Sequence, residues 1–298
     1  MKKRTMQYRG KTIYLAKFDV IFKAIFVSDG DYTLLASLLS SILGIPIEAE
    51  DITVLNVELA PEHRSGRLSR LDVRVKTADN KHINIEIQLV DEKNMDKRSI
   101  FYLSKLYTQQ MTAKMKFHEL GQAITINILD FDYLPYEEYH NVYRLKNIAN
   151  NDELTNALEI HFIELKKMPR DRIGSQKDFW MKFISAENEE ALDMLAKQNE
   201  VMDKAVKKLV YVSSDELIRY EMDMREKIEL DYYSAMQGSY DEGIAIGEER
   251  GIAIGEERGR EANIREVVLE MKNDGLSEER IARIVKLPIE DVRGILYP

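Results

Sequence analysis

The sequence predicts an α/β fold, with a mixed central sheet flanked by helices and a helical C-terminal extension. Three observations carry this. Segments 67–76 and 82–90 alternate polar and apolar residues with a period of two, as half-buried strands do. Residues 123–129, Ala-Ile-Thr-Ile-Asn-Ile-Leu, are short and almost wholly apolar, as expected of a buried central strand. Residues 18–43 and 96–118 carry apolar side chains at helical spacing.

Taken in order, Phe18, Ile21, Phe22, Ile25 and Phe26 form one helical stripe. A second stripe follows Gly30-Asp31, through Leu34, Leu35, Leu38, Leu39 and Ile42, and Gly44 and Pro46 end it. Residues 52–59 are β-branched and alternating, so they read as the first strand, with 67–76 and 82–90 as the second and third. Residues 96–118 read as one long amphipathic helix through Ile100, Leu103, Leu106, Tyr107 and Met111. Strands at 123–129, 142–146 and 158–165 follow. A three-strand meander and a helical crossover then give a mixed sheet. Residues 175–237 are helical in pattern, and Trp180 reads as a packing anchor beside Phe183 and Ile184.

An internal repeat comes next. Gly243-Ile-Ala-Ile-Gly-Glu-Glu-Arg250 recurs unchanged at 251–258, which sets Gly243, Gly247, Gly251, Gly255 and Gly259 at every fourth position. Five glycines in one helix cost about 4–5 kcal/mol relative to alanine. Either a second helix packs along this stripe, giving a homo-dimer or higher oligomer, or the repeat is a linker. Helices are expected at 261–272, 277–286 and 288–296, with Pro288 in a first turn. They suit a helix-turn-helix or a small helical cap. The expected division is 1–170, 171–238 and 239–298.

Composition excludes several classes. There is no cysteine, so disulfide frameworks and thiolate metal sites are out. No apolar run approaches the roughly 18 residues that cross a bilayer. The basic start, Met1-Lys-Lys-Arg4, is not followed by an apolar stretch, and a cytoplasmic location is expected. The net charge of −9 argues against bulk attraction to nucleic acid, yet 93–116 is basic, with six cationic side chains against Asp96 alone. The five histidines are scattered, with no i+3 or i+4 partner, and no phosphate-binding loop or nucleophile elbow is present.

The chemistry is concentrated in the strand pair. Asp72 and Glu86 lie 14 residues apart, with Ala78-Asp79-Asn80-Lys81 as the turn, so a hairpin brings both carboxylates to one sheet face. Two close carboxylates repel unless a cation sits between them. Mg²⁺, for which Mn²⁺ is a plausible substitute, binds through one or two carboxylates plus water and phosphate oxygens, and the carbonyl of Ile87 is a further candidate ligand. Gln88 would orient an attacking water but carries no charge. The same pattern also fits the polar face of any amphipathic sheet.

Resemblance sharpens this reading. The chain resembles the PD-(D/E)XK nuclease superfamily, and within it the Rpn branch of recombination-promoting nucleases, often labelled transposases. The matching residues are Phe18-Asp-Val-Ile-Phe-Lys23, Arg70-Leu-Asp72-Val-Arg-Val and Ile83-Asn-Ile-Glu86-Ile-Gln88. They continue with Lys97-Arg98-Ser-Ile-Phe-Tyr102-Leu-Ser-Lys105-Leu-Tyr107, Leu158-Glu-Ile-His-Phe-Ile-Glu-Leu-Lys166 and the glycine repeat. The resemblance implies a restriction-endonuclease-like core and Mg²⁺-dependent DNA cleavage, with Asp72 and Glu86 as metal ligands. Gln88 stands where the wider superfamily has lysine, a change shared with the branch. Asp19 matches the place of an additional acid, or is a charge favoured at a helix N-terminus. Arg98, Tyr102 and Lys105 would contact DNA phosphate, or are surface charge and a half-buried tyrosine. A DNA-binding regulatory protein on a catalytically weak nuclease fold is the alternative function.

Overall fold

The computed structural model describes residues 3–55, 73–169 and 174–297. The chain divides into two compact units, 1–223 and 224–298.

The first unit opens with a hairpin that periodicity alone did not announce, β1 (Thr5–Tyr8) and β2 (Lys11–Tyr14), joined through Arg9 and Gly10 at positive φ. The apolar span 18–43 is two helices, α1 (Asp19–Phe26) and α2 (Thr33–Leu43). Between them Asp31 accepts from the Thr33 backbone (3.0 Å), and Gly30 takes a left-handed conformation that breaks the helix. Strand β3 is Ile52–Val54; the remainder of the strand expected to run to 59 lies outside the described residues. Strands β4 (Val73–Thr77) and β5 (His82–Gln88) form the expected hairpin, with Val73 opposite Ile85 and Arg74 opposite Asn84. Its turn is held by the Thr77 hydroxyl, which bonds Asp79 (2.5 Å) and accepts from the Lys81 backbone (3.1 Å), with Asn80 at φ +62°.

Helix α3 (Met95–Thr108) crosses over to β6 (Ala123–Leu129), which runs parallel to β5. The helix expected through 118 therefore stops ten residues early. Its end has a visible cause: Gln110 turns inward and its side-chain amide clasps the backbone of Gly121 in both directions, at 2.8 and 3.2 Å. Gly121 itself has no alternative. A Cβ there would stand 1.7 Å from the Asn80 carbonyl oxygen of the β4–β5 turn. Strands β7 (His140–Lys146) and β8 (Glu153–Glu164) complete a mixed sheet in the order β3-β4-β5-β6-β8-β7.

Helices α4 (Gln176–Ser185), α5 (Glu189–Ala196) and α6 (Glu200–Ser214) follow. Ser175, Asn188 and Asn199 cap them through side-chain oxygens that accept backbone N–H groups. They join α1, α2 and one sheet face in the main core. Ile83, Ile85, Ile126 and Ile128 supply the sheet side, and Trp180 is the anchor expected, fully buried with its Nε1 donating to Ser37 (3.1 Å).

Helix α7 (Glu216–Asn273) is continuous through the glycine repeat. A Cβ at each of the five repeat glycines would meet nothing within 4 Å. Within the second unit, Gly275 at φ +83° ends α7, and α8 (Glu278–Val285) and α9 (Ile289–Leu296) pack on it through Val268, Ile281 and Val292. Among the described residues no helix is long and apolar enough to cross a membrane.

Candidate active site

The β4–β5–β6 sheet has two unlike faces. Ile83, Ile85 and Ile87 enter the main core. Period two then sends His82, Asn84, Glu86 and Gln88 to the other face, which α3 covers. Below α3, Leu103 and Leu106 pack on Ala123, and Met95 packs with Leu129 and Phe162. The centre of this face is polar and buried: Asn84, Glu86, Ser99, Thr125 and Asn127 are all at most 1% exposed.

Glu86 is the pivot. Its Oε1 accepts from Arg98 Nε (3.1 Å), from Arg98 Nη2 and from Gln88 Nε2 (3.0 Å). Arg98 comes from α3, so the crossover helix delivers a permanent cation to the strand carboxylate. Burial pushes the Glu86 carboxyl above its usual range, and the opposing charge and hydrogen bonds of Arg98 and Gln88 do not fully offset it. For Arg98, burial acts to lower the pKa, but the Glu86 charge outweighs it and the guanidinium is raised. The second oxygen, Glu86 Oε2, is buried without a hydrogen-bond partner among the described residues. An anionic lone pair left open in this way suits a divalent cation.

The remaining expected site residues are placed as follows. Asp72 lies outside the described residues; Val73, next in sequence, pairs with Ile85. Ile87 sits in the β5–β6 ladder opposite Ile128. Asp19 is the first residue of α1, where its charge favours the helix N-terminus. Tyr102 and Lys105 follow Arg98 along α3, with the Arg98 guanidinium carbon 5.6 Å from the Tyr102 ring centre. Among the described residues, no three histidines or acids converge as a metal-holding group.

Other polar residues of the site were not singled out in sequence. Ser99 donates to Asn127 (3.0 Å), whose amide donates to the His161 carbonyl (3.0 Å). Asn84 and Thr125, neighbours across β5 and β6, have no side-chain partner among the described residues. Their signal is the period-two recurrence of Thr125 and Asn127 inside an otherwise apolar strand. A further, partly buried chain links β7, β8 and α4: Lys177 Nζ to His140 Nδ1 (2.9 Å), His140 Nε2 to His161 Nδ1 (2.9 Å), and His161 Nε2 to Glu159 (2.5 Å). Arg144 holds the other Glu159 oxygen at 2.5 Å. Burial, then the charge of Lys177, lowers the His140 pKa to about 3.

A six-strand mixed sheet flanked by helices, with a buried acid and amide two residues apart on its second hairpin strand, is a PD-(D/E)XK-type architecture. The chain belongs to the family described as PD-(D/E)XK nuclease family transposase, whose model matches residues 16–239. That span contains the whole six-strand sheet and α1 to α6, and membership carries a nuclease- or transposase-like function with it. No curated protein matches the chain, and no solved structure does.

Proposed function

We propose that this protein is a Mg²⁺-dependent DNA endonuclease whose cleavage promotes recombination, as in the Rpn branch. The observation that carries the reading is Glu86 Oε2, a buried carboxylate oxygen without a partner among the described residues, on the strand where the fold keeps its acid. Asp72 and Glu86 would hold the cation, with the Ile87 carbonyl and Asp19 as further ligands. When bound, it would act as a Lewis acid on phosphate and make water more acidic. Gln88 fixes the Glu86 carboxylate through its amide and would orient the attacking water. Arg98, Tyr102 and Lys105 would position the scissile strand.

The test is nicking of plasmid DNA with Mg²⁺ or Mn²⁺, comparing the wild type with Asp72→Asn and Glu86→Gln. Metal-dependent nicking that each variant lowers at least about 100-fold supports the proposal. Equal activity in all three, or none over a range of divalent metals, sinks it. A second reading, a weak or inactive DNA-binding regulator, is favoured by Gln88 in the lysine position and by Arg98 already seated on Glu86. It predicts a gel shift that survives Glu86→Gln with no cleavage by the wild type.

Self-association through α7 is part of the proposal. It is supported by Ile244, Ile246, Ile252 and Ile254, exposed along the repeat, and by Tyr240, exposed just before it. Sedimentation of the full chain would show an oligomer; a strict monomer at high concentration removes the idea. The location proposed is cytoplasmic, which fractionation would test.

A further inference from the structure

We propose that the outer face of α3 binds single-stranded DNA, with an unpaired base stacked on Phe101 and the flanking phosphates held by Lys97 and Lys105. The proposal rests on the nuclease reading and adds the form of DNA that the site takes.

The first observation is exposure. Phe101 is 60% exposed and its neighbour Ile100 is 56% exposed, on a helix whose opposite side is well packed. Lys97, Phe101 and Lys105 stand at i, i+4 and i+8, so they share one stripe of that helix. An aromatic ring between two lysines offers a flat apolar platform with a cation on either side, which matches a base between two phosphates.

Charge is the second. From Lys97 to His118 the chain has five lysines and arginines and no acid, although the whole protein carries a net charge of −9. Such a local reversal suits a polyanion and disfavours a basic protein partner.

The third is continuity with the site. From Glu86 the contacts run without a gap. Arg98 is hydrogen-bonded to Glu86 and lies over the Tyr102 ring; Tyr102 meets Phe101 edge-on, with centroids 5.5 Å apart; and Lys105 Nζ stands 6.0 Å from the Phe101 centroid. This alternation of cations and rings leads from the buried carboxylate to the exposed surface. Phe101 and Arg98 are separated by three residues, about 4.5 Å of helix rise, so a strand stacked on Phe101 passes directly beside the Arg98–Glu86 pair. A duplex keeps its bases stacked inside and would leave the ring idle.

The experiment is fluorescence anisotropy of the full chain with a labelled single-stranded oligonucleotide and with the matched duplex. Both are measured in EDTA, so that binding is read apart from cleavage. Phe101→Ala is expected to weaken single-strand binding about 5- to 100-fold and to change duplex binding less than about twofold. Phe101→Trp should restore it, and Lys97→Ala and Lys105→Ala should each reduce the salt slope by about 0.7. Because Phe101 is exposed, the thermal melt of Phe101→Ala should match that of the wild type. Equal losses for both DNAs, no loss for either, or failure of Phe101→Trp to restore binding would overturn the proposal. So would a wild type that binds neither DNA, which would leave Phe101 to a protein partner. Absence of cleavage with this binding pattern intact would remove the nuclease reading and leave the stacking site standing.

Discussion

The Glu86–Arg98 pair should respond asymmetrically to mutation. Glu86 is 1% exposed and its Oε2 has no partner among the described residues, whereas the Arg98 side chain is 25% exposed and has Glu92 at 3.9 Å as a second anion. Glu86→Gln removes a desolvated charge yet keeps an oxygen for the Arg98 and Gln88 donors. Its stability should stay within about 1 kcal/mol of the wild type, or rise. Arg98→Ala leaves the carboxylate buried with one hydrogen bond, from Gln88, and should cost about 3–5 kcal/mol. The double variant should regain most of that loss. Urea unfolding followed by the single tryptophan, Trp180 in the main core, measures all three. The sign of the pH dependence is fixed by burial, which raises the Glu86 carboxyl in the folded state. A raised acid favours folding below its unfolded value of about 4.3, and that contribution is lost as pH rises through the folded value. Removing Arg98 removes the main influence opposing the rise, so the penalty of Arg98→Ala should shrink as pH falls towards that range. If Glu86→Gln proves as costly as Arg98→Ala, the pair is a structural tie and the argument for a site held ready for a cation fails.

Other perturbations test other parts of the molecule. His140, lowered to about 3 in the folded state by burial and Lys177, with His161, Glu159 and Tyr139 around it, contributes stability that is present above pH 6.5 and lost on acidification. Between pH 6.5 and 4.5, unfolding free energy should fall by roughly 1.4 kcal/mol per pH unit from this group, and His140→Gln should remove that part of the slope. Gly121→Ala drives a Cβ into the Asn80 carbonyl and should destabilise by about 3 kcal/mol in the same urea assay. Gly251→Ala meets open space in the single chain and should strengthen the helix by about 0.8–1 kcal/mol, read by circular dichroism. If the stripe is an oligomer contact, the same change should instead weaken association in sedimentation.

The sequence was legible where one periodicity dominated. Residues 123–129 are β6 to the residue, because a short apolar run between turn-forming segments has few alternatives. The β4–β5 turn was equally readable, since Asp79-Asn80 supply the side-chain hydrogen bond and the left-handed conformation that it uses. The end of α3 was not. Ile100, Leu103, Leu106, Tyr107 and Met111 keep helical spacing, but the helix stops where Gln110 finds the Gly121 backbone, a contact no local pattern encodes. Glu86 and Gln88 could be read as sharing a face; that Arg98 would sit on that face could not, because the crossover sets it. The His140–His161 contact likewise depends on antiparallel pairing across 21 residues, and Lys17 is held by Asp130 (3.1 Å) and Glu187 (2.5 Å) from two distant segments.

The hydrogen-bonded array from Lys177 to Glu159 fixes where its protons sit. With Lys177 as an ammonium, a single choice of tautomers satisfies every contact: each ring accepts from the lysine side and donates towards Glu159. The array therefore has a direction, cation to anion, and a fixed inventory of hydrogens. One extra proton sets a donor against a donor somewhere along it, whereas a neutral Lys177 amine would still have an N–H to donate to His140. Changes in this part of the protein are constrained to come in matched sets, since altering any one of the four side chains resets what its neighbours must donate or accept.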